Sequence, residues 1–105
     1  MANEDFFKIL RKIQTKPDSS QRELAEDLGF SLGKLNYCLK SLQKKGLVKL
    51  QNFKKKDNKI SYLRYVITPK GISERTKLTI NFMKRKMREY DELKSELESN
   101  QEEKN

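Results

Sequence analysis

Residues 20–46 read SQRELAEDLGFSLGKLNYCLKSLQKKG, and this stretch holds two helix starts and two helix stops. Ser20 followed by Gln21, Arg22 and Glu23 is a capping box, in which a hydroxyl and a carboxylate satisfy the first free N–H groups of a helix. Leu24, Ala25 and Leu28 form the apolar stripe of that short helix, and Gly29 stands where the C′ residue must turn left-handed. After the turn at Gly29 and Phe30, Ser31 caps a second helix, whose Leu35, Cys38, Leu39 and Leu42 recur at helical spacing until Gly46. Two helices joined by so short a turn make a helix-turn-helix.

Upstream, Glu4 to Thr15 is expected to be helical: Asn3 can cap it, Glu4 and Asp5 suit its positive end, and Phe6, Phe7, Leu10 and Ile13 share one face before Pro17. Downstream of Gly46 the period changes from 3.6 to 2. Val48 and Leu50 alternate with Lys49 and Gln51, and Leu63, Tyr65 and Ile67 alternate with Tyr62, Arg64 and Val66. These are two strands of a hairpin whose tip, KKKDNK at 54–59, carries an Asp57-Asn58 turn signal and is too polar to bury. Thr68 as cap and Pro69 at the first position then restart a helix. Only Gly71 interrupts its composition, early enough to be tolerated, so a single helix to about Ser99 is expected, ~45 Å long. The fold class read from the sequence is mainly α with a β-hairpin. A winged helix-turn-helix domain covers residues 1–68, and a long C-terminal dimerisation helix with a frayed acidic tail covers residues 69–105.

The chain of 105 residues is long enough for one small domain and an extension; 34% of it is hydrophobic and 37% charged. With no His and one cysteine, it has no internal disulfide, no zinc cage of several sulfurs and no His-based catalysis. No paired acids, nucleophile–base pair or phosphate-cradling Gly loop is present, so the sequence reads as a non-enzyme without cofactor or metal. No apolar run approaches the ~20 residues of a membrane span, and MANEDFFKIL is unlike a signal peptide, which places the chain in a reducing cytoplasm.

Its 24 Lys and Arg against 15 Asp and Glu give a net charge of +9. The distribution says more. From Leu28 to Ser73 eleven bases face the single acid Asp57, while the rest of the chain is close to neutral. A cationic segment laid over a helix-turn-helix and its hairpin is the footprint of a nucleic-acid reader. At 100° per residue, the face opposite Leu35, Cys38, Leu39 and Leu42 holds Gly33, Tyr37, Lys40 and Lys44, flanked by Lys34, Asn36 and Ser41. It has no acid and suits a major groove: Asn36 matches an adenine edge, Lys34 or Lys40 a guanine. Ser31, at the start of this helix, joins the candidate DNA-binding set. Gln21 and Arg22 are placed for backbone phosphate, as are Lys44 and Lys45; Lys54, Lys55, Lys56 and Lys59 would reach phosphates or the minor groove. Four positions have a purely structural alternative. Lys44 and Lys45 also suit a helix C-terminus, Tyr37 can tuck its ring against the domain, and Cys38 fits a small buried hydrophobe better than a redox sensor.

The stretch SQRELAEDLGFSLGKLNYCLKSLQKKGLVKLQNF, then YVITPKG and FMKRKMREYDELKSELE, resembles the MarR-type winged-helix regulators, and among them the short group called EPS-associated for its link to exopolysaccharide genes. The resemblance covers roughly residues 6 to 98. It implies a bacterial, dimeric, DNA-binding transcriptional regulator, with the recognition helix on Ser31 to Lys45 and the wing on Phe53 to Ser61. Larger members have extra flanking helices that help form an effector crevice; this chain lacks them, so the resemblance implies no small-molecule effector.

Ile80, Met83, Met87, Tyr90 and Leu97 follow heptad steps along the last helix, with Lys94 interrupting the seam, and call for a partner helix in a homodimer. Ile72, Leu78 and Phe82 are expected to cover the chain's own domain. Residues 76–88 carry five bases and no acid; residues 89–105 carry seven acids against two lysines. An antiparallel crossing near Met87 would set each basic half beside an acidic one, while the basic half lying along phosphate is the alternative. Two functions follow: a homodimeric, sequence-specific regulator reading an inverted repeat on double-stranded DNA, or a winged-helix protein-docking module.

Overall fold

The computed structural model of the protein describes residues 3–54 and 61–104. Three helices come first, α1 (Asn3–Thr15), α2 (Gln21–Leu28) and α3 (Leu32–Lys44). An antiparallel ribbon follows, β1 (Val48–Lys54) and β2 (Ser61–Ile67), and α4 (Pro69–Lys104) completes the order. This is the winged helix-turn-helix class read from the sequence. Apart from Lys54, the basic hairpin tip lies outside the described residues.

The helix boundaries are set by side-chain and glycine caps. Ser20 Oγ accepts the Glu23 N–H at 3.1 Å. The second bond of the capping box differs from expectation: the hydroxyl donates to Glu23 Oε1 at 3.1 Å. α1 takes Asn3 into its first turn, one residue earlier than expected. Gly29 sits at φ 70°, where an L side chain would be strained. The Phe30 N–H reaches Ala25 O at 2.9 Å and the Gly29 N–H reaches Glu26 O at 3.2 Å, the paired bonds of a Schellman motif. Gly46, at φ 75°, ends α3 in the same way through Leu47 N–H to Leu42 O at 3.0 Å.

α1 packs against α2, α3, α4 and β2 and so forms the centre of the domain. Ile9, Leu10, Leu35, Cys38, Leu39, Leu42 and Val48 are fully buried, and each large aliphatic among them contributes about 1.5–3 kcal/mol by leaving water. Leu78 of α4 joins this core, so the first turns of the long helix belong to the same packed unit. In the ribbon, Val48 pairs with Ile67, Leu50 with Tyr65 and Asn52 with Leu63, all on one face. Only its base is buried. Leu50 and Leu63 are exposed because the ribbon runs past the helices that cover Val48 and Tyr65.

Thr68 fastens α4 to the ribbon and to the end of α3. Its N–H donates to Leu47 O at 3.0 Å, its hydroxyl donates to Gly46 O at 2.6 Å, and the same oxygen accepts the Gly71 N–H at 3.0 Å. This tight seam brings the backbone of α4 against Leu47. A methyl group on Gly71 would overlap the Leu47 carbonyl oxygen and the Ile67 side chain, so the glycine is required rather than merely tolerated. It also corrects the expectation for Ile72. Gly71, Leu78 and Phe82 lie along the inward face, and Phe82 stacks on Phe7 of α1 at 5.0 Å between centroids. Ile72, turned 100° from Gly71, remains 43% exposed. Arg75 adds a 2.8 Å bond from Nη1 to Gln14 Oε1.

α4 continues to Lys104, five residues beyond the expected end. From Met83 to Gln101 every residue is exposed, and the helix stretches the molecule to 74 × 25 × 25 Å. No helix among the described residues is long and apolar enough to cross a membrane.

Candidate nucleic-acid interface

The capping bond from Lys34 N–H to Ser31 Oγ, 3.1 Å, fixes where α3 begins and therefore which side chains point outward. Leu35, Cys38, Leu39 and Leu42 anchor one face in the core with no exposure. The opposite face is open: Gly33, Asn36, Lys40 and Lys44 are exposed, and Tyr37 is 62% exposed, so its ring is not tucked against the domain. Gln21 and Arg22 are exposed in the first turn of α2, and Lys54 is exposed where β1 leaves the domain. Ser31 is exposed but its hydroxyl is already engaged as the cap. Lys55, Lys56 and Lys59 lie outside the described residues.

Lys34 is placed differently from the other candidates. Its Nζ lies 3.4 Å from Asp5 Oδ2 and 4.1 Å above the centre of the Phe30 ring. The side chain reaches back to α1, because position 34 is on the flank of α3 that passes the N-terminal end of that helix. Lys45, on the same flank, lies over the Phe6 ring at 4.9 Å. These two cations brace the helix packing, while Lys40 and Lys44 have no salt bridge among the described residues. Burial raises the Cys38 thiol above its ordinary value; the Asp5 carboxylate adds to this, and Lys34 opposes it. A buried sulfur held in its neutral form packs as a small hydrophobe, not as a reactive thiolate.

The structure adds residues that the sequence reading passed over. Leu32 is exposed in the first turn of α3, where an apolar group can meet a thymine methyl. Arg64 faces away from the core side of the ribbon, paired across from Gln51, with its guanidinium 4.6 Å from the Tyr62 ring; Tyr62 in turn stacks on Phe53 at 5.8 Å. The period-2 alternation that put Arg64 and Tyr62 on one face was the available signal. A cleft of about 290 Å³ opens between α1, the end of α3 and α4, lined by Phe6, Leu10, Lys45, Leu47, Lys70 and Leu78 with Glu74. Among the described residues no group of three or more Cys, Asp or Glu could hold a metal ion.

The family described as "Winged helix-turn-helix DNA-binding" matches residues 7–49, from α1 into the first strand. No curated protein sequence matches the chain. Among solved structures, the PcaV transcriptional regulator from Streptomyces coelicolor, in complex with its natural ligand, superposes with a TM-score of 0.62 at 16% identity, over 76% of this chain and 55% of that one. Staphylococcus aureus MarR in complex with salicylate and kanamycin gives a TM-score of 0.62 at 18% identity, over 79% of this chain and 53% of that one. The chain spans about half the length of these two proteins. The capped helix pair followed by the ribbon thus has the winged helix-turn-helix fold, shared with PcaV and with Staphylococcus aureus MarR.

Proposed function

We propose that the chain is a cytoplasmic, homodimeric regulator of transcription that reads an inverted repeat on double-stranded DNA, with α3 in the major groove and the ribbon on the flanking backbone. One observation carries the reading: the outward face of α3 is exposed, free of acids and furnished with Gly33, Asn36, Tyr37, Lys40 and Lys44. Gly33 lets the backbone come close, Asn36 and Lys40 offer the donors and acceptor that base edges require, and Gln21, Arg22, Lys44 and Lys54 to Lys56 with Lys59 supply phosphate contacts. Lys34, held by Asp5, keeps α3 in place for this role rather than entering the groove. The dimer rests on the exposed heptad stripe Ile80, Met83, Met87, Tyr90 and Leu97. Membership of the MarR family, and of its short exopolysaccharide-associated group, rests on the sequence resemblance together with the shared fold, and the reading assigns the chain no effector or cofactor.

Selection of bound genomic fragments followed by gel shifts across a salt series tests the reading. The expected result is a discrete complex on a palindromic site, with affinity falling steeply as salt rises. Asn36→Ala or Lys40→Ala should then narrow the gap between cognate and random duplex by about tenfold or more, whereas replacing Lys54 to Lys56 by Ala should weaken every duplex alike. No discrete complex on any fragment at moderate salt would favour the protein-docking reading instead.

A further inference from the structure

Beyond the heptad seam, Leu93 is an apolar residue in the outer part of α4 that the seam does not use, and it is 65% exposed. In the heptad frame Ile80, Met87 and Lys94 occupy position a, and Met83, Tyr90 and Leu97 occupy d. Leu93 is then at g, beside the seam, in line with Thr79 and Lys86. On that same side the structure has an open apolar groove of about 460 Å³, lined by Phe7 of α1 and by Thr79, Phe82, Met83, Lys86 and Met87 of α4. The opposite, e, side holds Lys77 and Lys84 in the basic half and Asp91 and Glu98 in the acidic half, all exposed.

From this stripe, groove and charge order we infer that α4 pairs antiparallel with α4 of a second copy, in the single register that sets Ile80 against Leu97 of the partner subunit. The inference rests on the homodimer proposed above and not on DNA binding. Antiparallel helices match a with d, so Met87 meets the partner's Tyr90 twice about the two-fold axis, and Met83 meets the aliphatic stem of the partner's Lys94. In this register g lies opposite g. The partner's Leu93 therefore enters the groove beside Lys86, Phe82 and Phe7, which explains both the groove and the leucine. On the e side, Lys84 faces the partner's Asp91 and Lys77 faces the partner's Glu98, each pair formed twice. A parallel pair would gain a contact of Lys86 with the partner's Asp91 but loses the rest: Lys94 would meet its own copy in the seam, Lys77 and Lys84 would have no acid opposite them, and each Leu93 would lie far from the groove.

Two measurements on the full-length chain test this. A spin label on Leu97→Cys in a Cys38→Ala background reports the distance between the two copies of position 97. Antiparallel pairing places them ~25–30 Å apart, while a parallel pair brings them to roughly 10 Å. In the chain with its native cysteine, Lys84→Glu and Asp91→Lys should each weaken the dimer about tenfold by sedimentation, and the two together should restore it to within about threefold. Both sites are exposed, so the helical content should not change. A dimer with the short label distance, or one not rescued by the double exchange, overturns the antiparallel register while the homodimer stands. A chain that sediments as a monomer at micromolar concentration overturns both, and the gel shift then reports separately on DNA binding.

Discussion

At the scale of single residues, the most constrained position is one that carries no side chain. Gly71 sits where the first turn of α4 crosses the Leu47 carbonyl, a crossing closed by the three bonds of Thr68. Gly71→Ala should therefore cost about 1–3 kcal/mol by overpacking, despite the higher helix propensity of alanine, and lower the thermal midpoint accordingly. In the sequence this glycine is indistinguishable from a tolerated one, because the clash is with residues in a different element. Cys38 gives a prediction with a sign. Its folded-state pKa is raised by burial, so as pH climbs the unfolded chain loses the thiol proton first. The stabilising effect is complete below the ordinary thiol pKa and fades as pH rises above about 8.5 toward the raised value. Urea midpoints should fall over that window in the native chain and fall less in Cys38→Ala. Lys34 shows the reverse limit of sequence reading: helical geometry put it on a flank, but only the packing of α1 put Asp5 within 3.4 Å of it.

At the scale of elements, α2 and α3 were legible nearly to the residue, because Ser20, Gly29, Ser31 and Gly46 are local devices that act through hydrogen bonds a few residues away. The ribbon was legible in its period but not in the depth of its burial, since how far the helices extend beneath Leu50 and Leu63 is a property of the assembled domain. α4 was legible as a long helix. Its packing face was read too broadly, with Ile72 included, because an apolar residue near a helix start satisfies both an inward and an outward pattern. From Met83 to Gln101 every residue of the helix is exposed, and a solvated helix of that length gains little from propensity alone. Removal of residues 89–105 should leave the described core intact, since its last member is Leu78, and thermal unfolding should remain cooperative. The same truncation should weaken operator binding by about a hundredfold or more, because the two reading heads are no longer linked.

At the scale of the whole molecule, charge is divided by task. Residues 28–73, which span α3 and the ribbon, hold eleven bases against one acid, while α4 runs from a basic stretch, 76–88, into an acidic one. Raising salt should therefore act on two equilibria. It should weaken DNA binding strongly, as counterions compete for phosphate, and should weaken the dimer only modestly, since the seam is apolar. Titration of each equilibrium against salt, by gel shift and by sedimentation, separates the two slopes. The amino-acid order by itself determined the capped helix pair, the hairpin period, the acid-free face of α3 and the heptad spacing of apolar residues in α4, because caps, periodicity and charge order are encoded within a few residues of one another. Tertiary structure alone decided that Lys34 turns to Asp5, that Gly71 admits no methyl, that Ile72 stays in solvent and that Phe7 and Phe82 open a groove beside the seam. Each of those depends on the distance between residues far apart in the chain, which burial of a shared core sets and local pattern does not.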